Sequence, residues 1–60
     1  MNFRELEKIL KADGWRLKSV KGSHHNYTHP TKRGKVTVPR HPGDIPPIVV
    51  KYVLMQAQLP

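Results

Sequence analysis

Three of the four histidines of this chain fall within the ten residues Lys21-Gly22-Ser23-His24-His25-Asn26-Tyr27-Thr28-His29-Pro30. Histidine is the side chain whose unperturbed pKa lies nearest neutrality, so an imidazole both accepts and releases a proton at physiological pH. A Gly-Ser turn leading into a strand that begins with His24 puts that imidazole at a strand mouth, exposed and fixed. An exposed strand histidine is by itself an ordinary surface feature. Chemistry needs a substrate as well, and the charge distribution points to one.

Residues 15–41 hold Arg16, Lys18, Lys21, Lys32, Arg33, Lys35 and Arg40 with no acid, whereas the charges of residues 1–14 and of residues 42–60 cancel. The whole excess of +7 therefore sits in the segment that also carries all four histidines. A localised basic field attracts polyanions, and RNA or DNA is the commonest such partner. The plain alternative is a solvated basic surface that aids solubility.

RNA brings its own nucleophile, the 2′-hydroxyl, so a nuclease acting on it needs a proton acceptor and charge stabilisation for the phosphorane. On that reading His24 takes the 2′-hydroxyl proton, and cationic neighbours such as Lys35 or Lys18 offset the developing charge. The products are a 2′,3′-cyclic phosphate and a 5′-hydroxyl. No residue stands out as the proton donor to the leaving 5′-oxygen. A non-catalytic RNA-binding module is the competing reading, and it differs in what His24 does.

Other chemistries fit less well. His24 and His25 are adjacent in a strand and point to opposite faces, and His25 and His29 lie two strand repeats apart. With no cysteine and no nearby carboxylate, a set of convergent zinc ligands is not available, so neither a metal nor a cofactor is expected. Ser23 lacks a partner arrangement for nucleophilic work and suits a turn-stabilising or phosphate-contacting role. Trp15 and Tyr27 have the ring systems that stack on bases, yet their spacing with Leu17 and the valines favours core packing.

The elements that position these residues follow from local pattern. Asn2 with Glu5 forms an Asn-headed capping box, and Phe3, Leu6, Ile9 and Leu10 recur at helical spacing, which predicts a helix over residues 3–13 closed by Gly14. Trp15 to Val20 alternates partly, with Val20 out of phase. Lys21-Gly22-Ser23 reads as a hairpin turn, His24 to His29 as a second strand ended by Pro30, and Lys35 to Pro39 as a third. Arg40-His41-Pro42-Gly43 reads as a connecting loop and Asp44 as the N-cap of a second helix, with Val50, Val53, Leu54 and Ala57 as its apolar stripe. The fold class is therefore α+β: α-β-β-β-α, an antiparallel three-stranded sheet with both helices on one face. The open face is expected to carry His24, Asn26, Thr28, Lys35, Thr37, Arg16 and Lys18, with His25 and His29 on the Tyr27 face.

Sixty residues suffice for a single domain, residues 1–60, near the lower limit for folding without staples. The first residues lack the layout of a signal peptide, and the longest apolar run, Ile48-Val49-Val50, is too short to span a bilayer. A soluble cytoplasmic protein without membrane attachment is the expectation.

The chain resembles the HicA family of bacterial toxins, small mRNA interferases also called YcfA-like. The resemblance covers essentially the whole chain. It rests on Gly14-Trp15, on Lys21-Gly22-Ser23-His24-His25-x-Tyr27 and on Gly34-Lys35-Val36-Thr37-Val38-Pro39. It continues through His41-Pro42 with Asp44-Ile45-Pro46 to Gln56-Ala57-Gln58-Leu59. Pro47-Ile48 departs from the Lys-Gly common at that place. The resemblance implies a double-stranded-RNA-binding-like fold and cleavage of mRNA by one histidine, which maps onto His24. It also implies activity that does not need the ribosome and restraint by a HicB-type antitoxin protein. Arg16, Lys18, Lys21, Ser23, Lys35 and Arg40 are the expected RNA contacts, and the antitoxin is expected to cover the same basic face with acidic surface.

Overall fold

A computed structural model describes residues 1–40 and 42–60. The connecting loop predicted at residues 40–43, and whatever part His41 takes in it, therefore include one position outside the described residues. Five elements follow one another: α1 (Phe3–Ala12), β1 (Arg16–Lys21), β2 (His24–Thr28), β3 (Val36–Pro39) and α2 (Pro47–Gln56). The strands form one antiparallel sheet in the order β1-β2-β3. The α-β-β-β-α architecture expected from the sequence is the one observed.

The capping box forms as read: Glu5 N–H donates to Asn2 Oδ1 at 2.9 Å, and Asn2 N–H donates to Glu5 Oε1 at 3.0 Å. Two of the helix's orphan amides are thus satisfied locally. Phe3, Leu6 and Leu10 turn inward, while Ile9 stays 37% exposed, so the apolar stripe is narrower than the spacing suggested. These three meet Trp15, Tyr27, Val36, Val38, Ile45, Val53 and Ala57 in a single core. Trp15 and Tyr27 are almost wholly buried, so neither ring is a platform for bases. The Tyr27 hydroxyl donates to Glu7 Oε2. Burial first, and then this carboxylate, hold the phenol well above its usual range, so it stays a neutral donor.

Three sequence expectations shift. Asp44 does not cap α2. It bridges antiparallel to Asn2, beside an Ile45 N–H to Met1 carbonyl bond of 2.7 Å, and Pro46 occupies the N-cap position without a side-chain bond. Strand β2 ends at Thr28, one residue early, because His29 leaves the ladder to bind the turn that follows it. A register shift between Leu17 and Ser19 makes Lys18 a bulge residue and resets the alternation, which accounts for Val20 being out of phase.

The loop after β2 ties the two helix ends together. His29 Nδ1 accepts from the amides of Thr31 (3.1 Å) and Lys32 (3.0 Å), so its other ring nitrogen carries the proton and donates to the Asp13 carbonyl at 2.6 Å. Lys32 Nζ contacts Asp13 Oδ2 at 2.5 Å and the Ala57 carbonyl, at the C-terminus of α2, at 3.1 Å. A cation there satisfies a helix-end acceptor and complements the dipole.

The Lys32 hydrogen bond is the main influence holding the Asp13 carboxyl below its usual range, against a smaller opposing effect of desolvation. A lowered folded pKa contributes stability above the unfolded value, near 4, that is lost as pH falls through the folded value. Lys32→Met is therefore expected to lower the melting temperature at pH 7 and to shrink the drop seen between pH 7 and pH 3. Melting both proteins at both pH values tests this. Equal melting temperatures at pH 7 would remove the clamp from the account.

Candidate functional site

Lys21-Gly22-Ser23-His24 places His24 at the first position of β2, directly after a two-residue turn. Gly22 has φ +58 at the first central position of that turn, the arrangement for which type II′ hairpins select glycine. His24 pairs with Lys21 on one side and with Pro39 on the other. Its side chain is exposed and has no bond among the described residues, on the face of the sheet that no helix covers. An imidazole there is open to a substrate and to water.

The same face carries a polar ladder that crosses all three strands. Asn26 Nδ2 donates to Ser19 Oγ at 3.2 Å, and Thr37 Oγ1 donates to Asn26 Oδ1 at 2.8 Å. Successive odd or even positions of a strand share a face, so Asn26 stands beside His24. The ladder keeps this face flat and polar. A groove of about 430 Å³ runs along it, lined by Lys18, Lys21 and Lys35 with Ser19, Asn26 and Thr28. Arg16, paired with Thr28, shares the face. Ser19 and its ladder were not anticipated from the sequence. The broken alternation at Val20 was the one available sign of the bulge that turns Ser19 outward.

The structure divides the expected RNA-contacting residues. Arg16, Lys18, Lys21 and Lys35 gather on the open face with His24. Ser23 and Arg40 do not: they line a separate cleft with Arg4 and His25 on the helix side of the sheet end. Lys35 precedes Val36, the partner of Tyr27, and so lies at the far end of the hairpin from His24, about 13 Å along the strand. Lys21 is the cation in register with His24. His25 faces the helices, its ring 4.9 Å from that of Phe3, and His29 is taken up by the loop clamp. Among the described residues, no three His, Asp or Glu side chains converge as a metal site. None of the described helices is long and apolar enough to cross a membrane.

Residues 3–59 match the family model described as HicA toxin of bacterial toxin-antitoxin. A search of curated proteins returned no match.

Proposed function

The chain belongs to the HicA toxin family of bacterial toxin-antitoxin systems, and from that premise we propose that it is a metal-independent endoribonuclease that cuts mRNA with His24 as its proton-transferring residue. One observation carries the reading: an unencumbered imidazole stands on an open, polar sheet face together with Lys18, Lys21 and Lys35. The substrate supplies the 2′-hydroxyl nucleophile, and His24 removes its proton. Cross-strand neighbours sit about 5 Å apart at Cβ, so Lys21 is the cation best placed to offset charge on the phosphorane. Lys18 and Lys35, with Arg16, hold the flanking strand by its phosphates. The phosphodiester bond to the 5′-oxygen breaks as the 2′-oxygen bonds phosphorus, and the departing 5′-oxygen takes up a proton from solvent, leaving a 2′,3′-cyclic phosphate and a 5′-hydroxyl.

A toxin of this kind acts alongside an antitoxin. In this reading the antitoxin is a HicB-type protein that occludes the open face with acidic side chains, and both act in the cytoplasm, where mRNA is found. The testing experiment incubates pure protein with RNA in excess chelator and identifies the new ends. Cleavage with cyclic-phosphate termini is the expected result. Cleavage lost in chelator and restored by added magnesium would replace the histidine mechanism with a metal-dependent one. Binding without cleavage in either condition would leave a non-catalytic RNA-binding module.

A further inference from the structure

The cleft that takes Ser23 and Arg40 away from the open face has features of its own. It measures about 530 Å³ and is lined by Arg4 from the first turn of α1, the Gly22–Ser23 turn, His25 and Arg40. Among the described residues no carboxylate lines it. Glu5 is engaged by the Asn2 amide at 3.0 Å, and Glu7, which lines an adjoining cleft with Arg4 and Arg40, accepts from the Tyr27 hydroxyl. The Arg40 guanidinium lies 5.2 Å over the Phe3 ring, and that ring meets the edge of His25. Among the described residues no carboxylate pairs with either arginine. The Arg40 amide donates to the Ser23 carbonyl at 2.6 Å and so ties the arginine to the turn. His25 keeps a buried Nδ1 without a hydrogen-bond partner among the described residues.

A guanidinium stacked on an aromatic ring is already ordered and still presents its fork of N–H donors, which matches a phosphate. The stacked Arg40 and the nearby Arg4 beside a hydroxyl, with Glu7 in the adjoining cleft and in no ion pair with either, form an anion site. Its relation to His24 follows from strand geometry. His24 and His25 have Cα atoms about 3.8 Å apart and point to opposite faces. A chain lying against His24 reaches the cleft by passing over the exposed Gly22–Ser23 turn.

We infer that this cleft is a second phosphate-binding site for the RNA strand. It holds the backbone phosphate of a nucleotide flanking the cleaved one, through Arg4, Arg40 and the Ser23 hydroxyl, and so positions the scissile bond at His24. The inference rests on the ribonuclease reading and adds to it a strand path around the end of the sheet rather than along one face alone. Arg4 and Arg40 are positioning residues here and take no part in proton transfer.

The test measures equilibrium binding of a short fluorescein-labelled RNA to His24→Ala protein, so that cleavage does not intrude. Adding Arg40→Gln is expected to weaken binding about five- to tenfold in about 0.1 M salt. It should also make the slope of log K against log salt shallower by about 0.7, the value for one phosphate of a single strand. Arg40→Lys should restore the salt slope but only part of the affinity, because lysine keeps the charge and loses the stacked fork. Unchanged affinity and slope would overturn the inference. Weaker binding with an unchanged slope and a lower melting temperature would also overturn it, because Arg40 would then act through its packing on Phe3. If RNA binding stays intact and only antitoxin binding weakens, the cleft belongs to the protein partner and the inference fails. RNA that binds neither wild type nor His24→Ala would defeat the ribonuclease reading itself, an outcome separate from loss of the cleft alone.

Discussion

Replacing His24 by alanine is expected to slow RNA cleavage by about 10²- to 10⁴-fold, the usual contribution of a positioned general base, with little effect on folding. The second half of that expectation comes from the fold. His24 is exposed, sits outside the core and makes no side-chain bond among the described residues, and substitutions at such positions usually change stability by less than about 0.5 kcal/mol. The backbone bonds of the hairpin do not depend on the side chain, and the turn geometry belongs to Gly22. Binding should persist, because Lys18, Lys21 and Lys35 remain in the groove. Adding free imidazole should recover part of the lost rate if the missing element is a proton acceptor. The measurement is a single-turnover assay on end-labelled RNA, with thermal melts of both proteins alongside. A variant that cleaves at the wild-type rate removes His24 from the mechanism.

Gly14→Ala is expected to be the most damaging single-methyl change, at about 3 kcal/mol. Gly14 has φ +101, a backbone region that costs an L-residue about 1–2 kcal/mol. The added Cβ would also lie 2.8 Å from His29 Nε2. That ring has nowhere cheap to go. Its Nε2–H bonds the Asp13 carbonyl, its Nδ1 accepts two backbone amides, and its edge packs on Trp15 at 5.1 Å between centroids. Each bond lost costs about 1 kcal/mol. Sixty residues at typical values support about 3–9 kcal/mol of stability in all, so the variant would be close to unfolding at ambient temperature. Gly22→Ala isolates the clash: Gly22 also has positive φ, at +58, but nothing lies within 4 Å of an added Cβ. Thermal melts should place Gly14→Ala more than about 10 °C below wild type and Gly22→Ala between the two. A Gly14→Ala melt matching that of Gly22→Ala would show that the His29 clamp is not rigid.

What the sequence by itself determined was local. The Asn2–Glu5 box, the left-handed residue at Gly14, the Gly22-Ser23 turn and the alternation through Val36 and Val38 depend on side chains a few positions apart. Propensity and spacing therefore suffice to place α1, the hairpin and β3 to within a residue. The placing of His24 on the open face followed from the same turn, because strand phase is counted from it. Family membership was legible for a related reason, since the motif Gly-Ser-His lies on that contiguous turn and strand.

Tertiary structure decided how the remaining polar groups were used. Composition counts seven cations in residues 15–41 but does not say which of them meets a carboxylate. Lys32 does, because chain reversal brings Asp13 to it across 19 positions of sequence. Arg40 makes no ion pair among the described residues, and it stacks on Phe3 around the edge of the sheet instead of joining the lysines. Asp44, a plausible cap by position, bridges to Asn2 because the chain's first residues run alongside it. The bulge at Lys18 turned Ser19 toward Asn26 and completed the ladder beside His24. Each of these outcomes depends on a partner distant in sequence. A long-range contact is set by the closure of the whole core, around Tyr27, Leu6 and Val36, and not by the pattern of the segment that supplies one half of it.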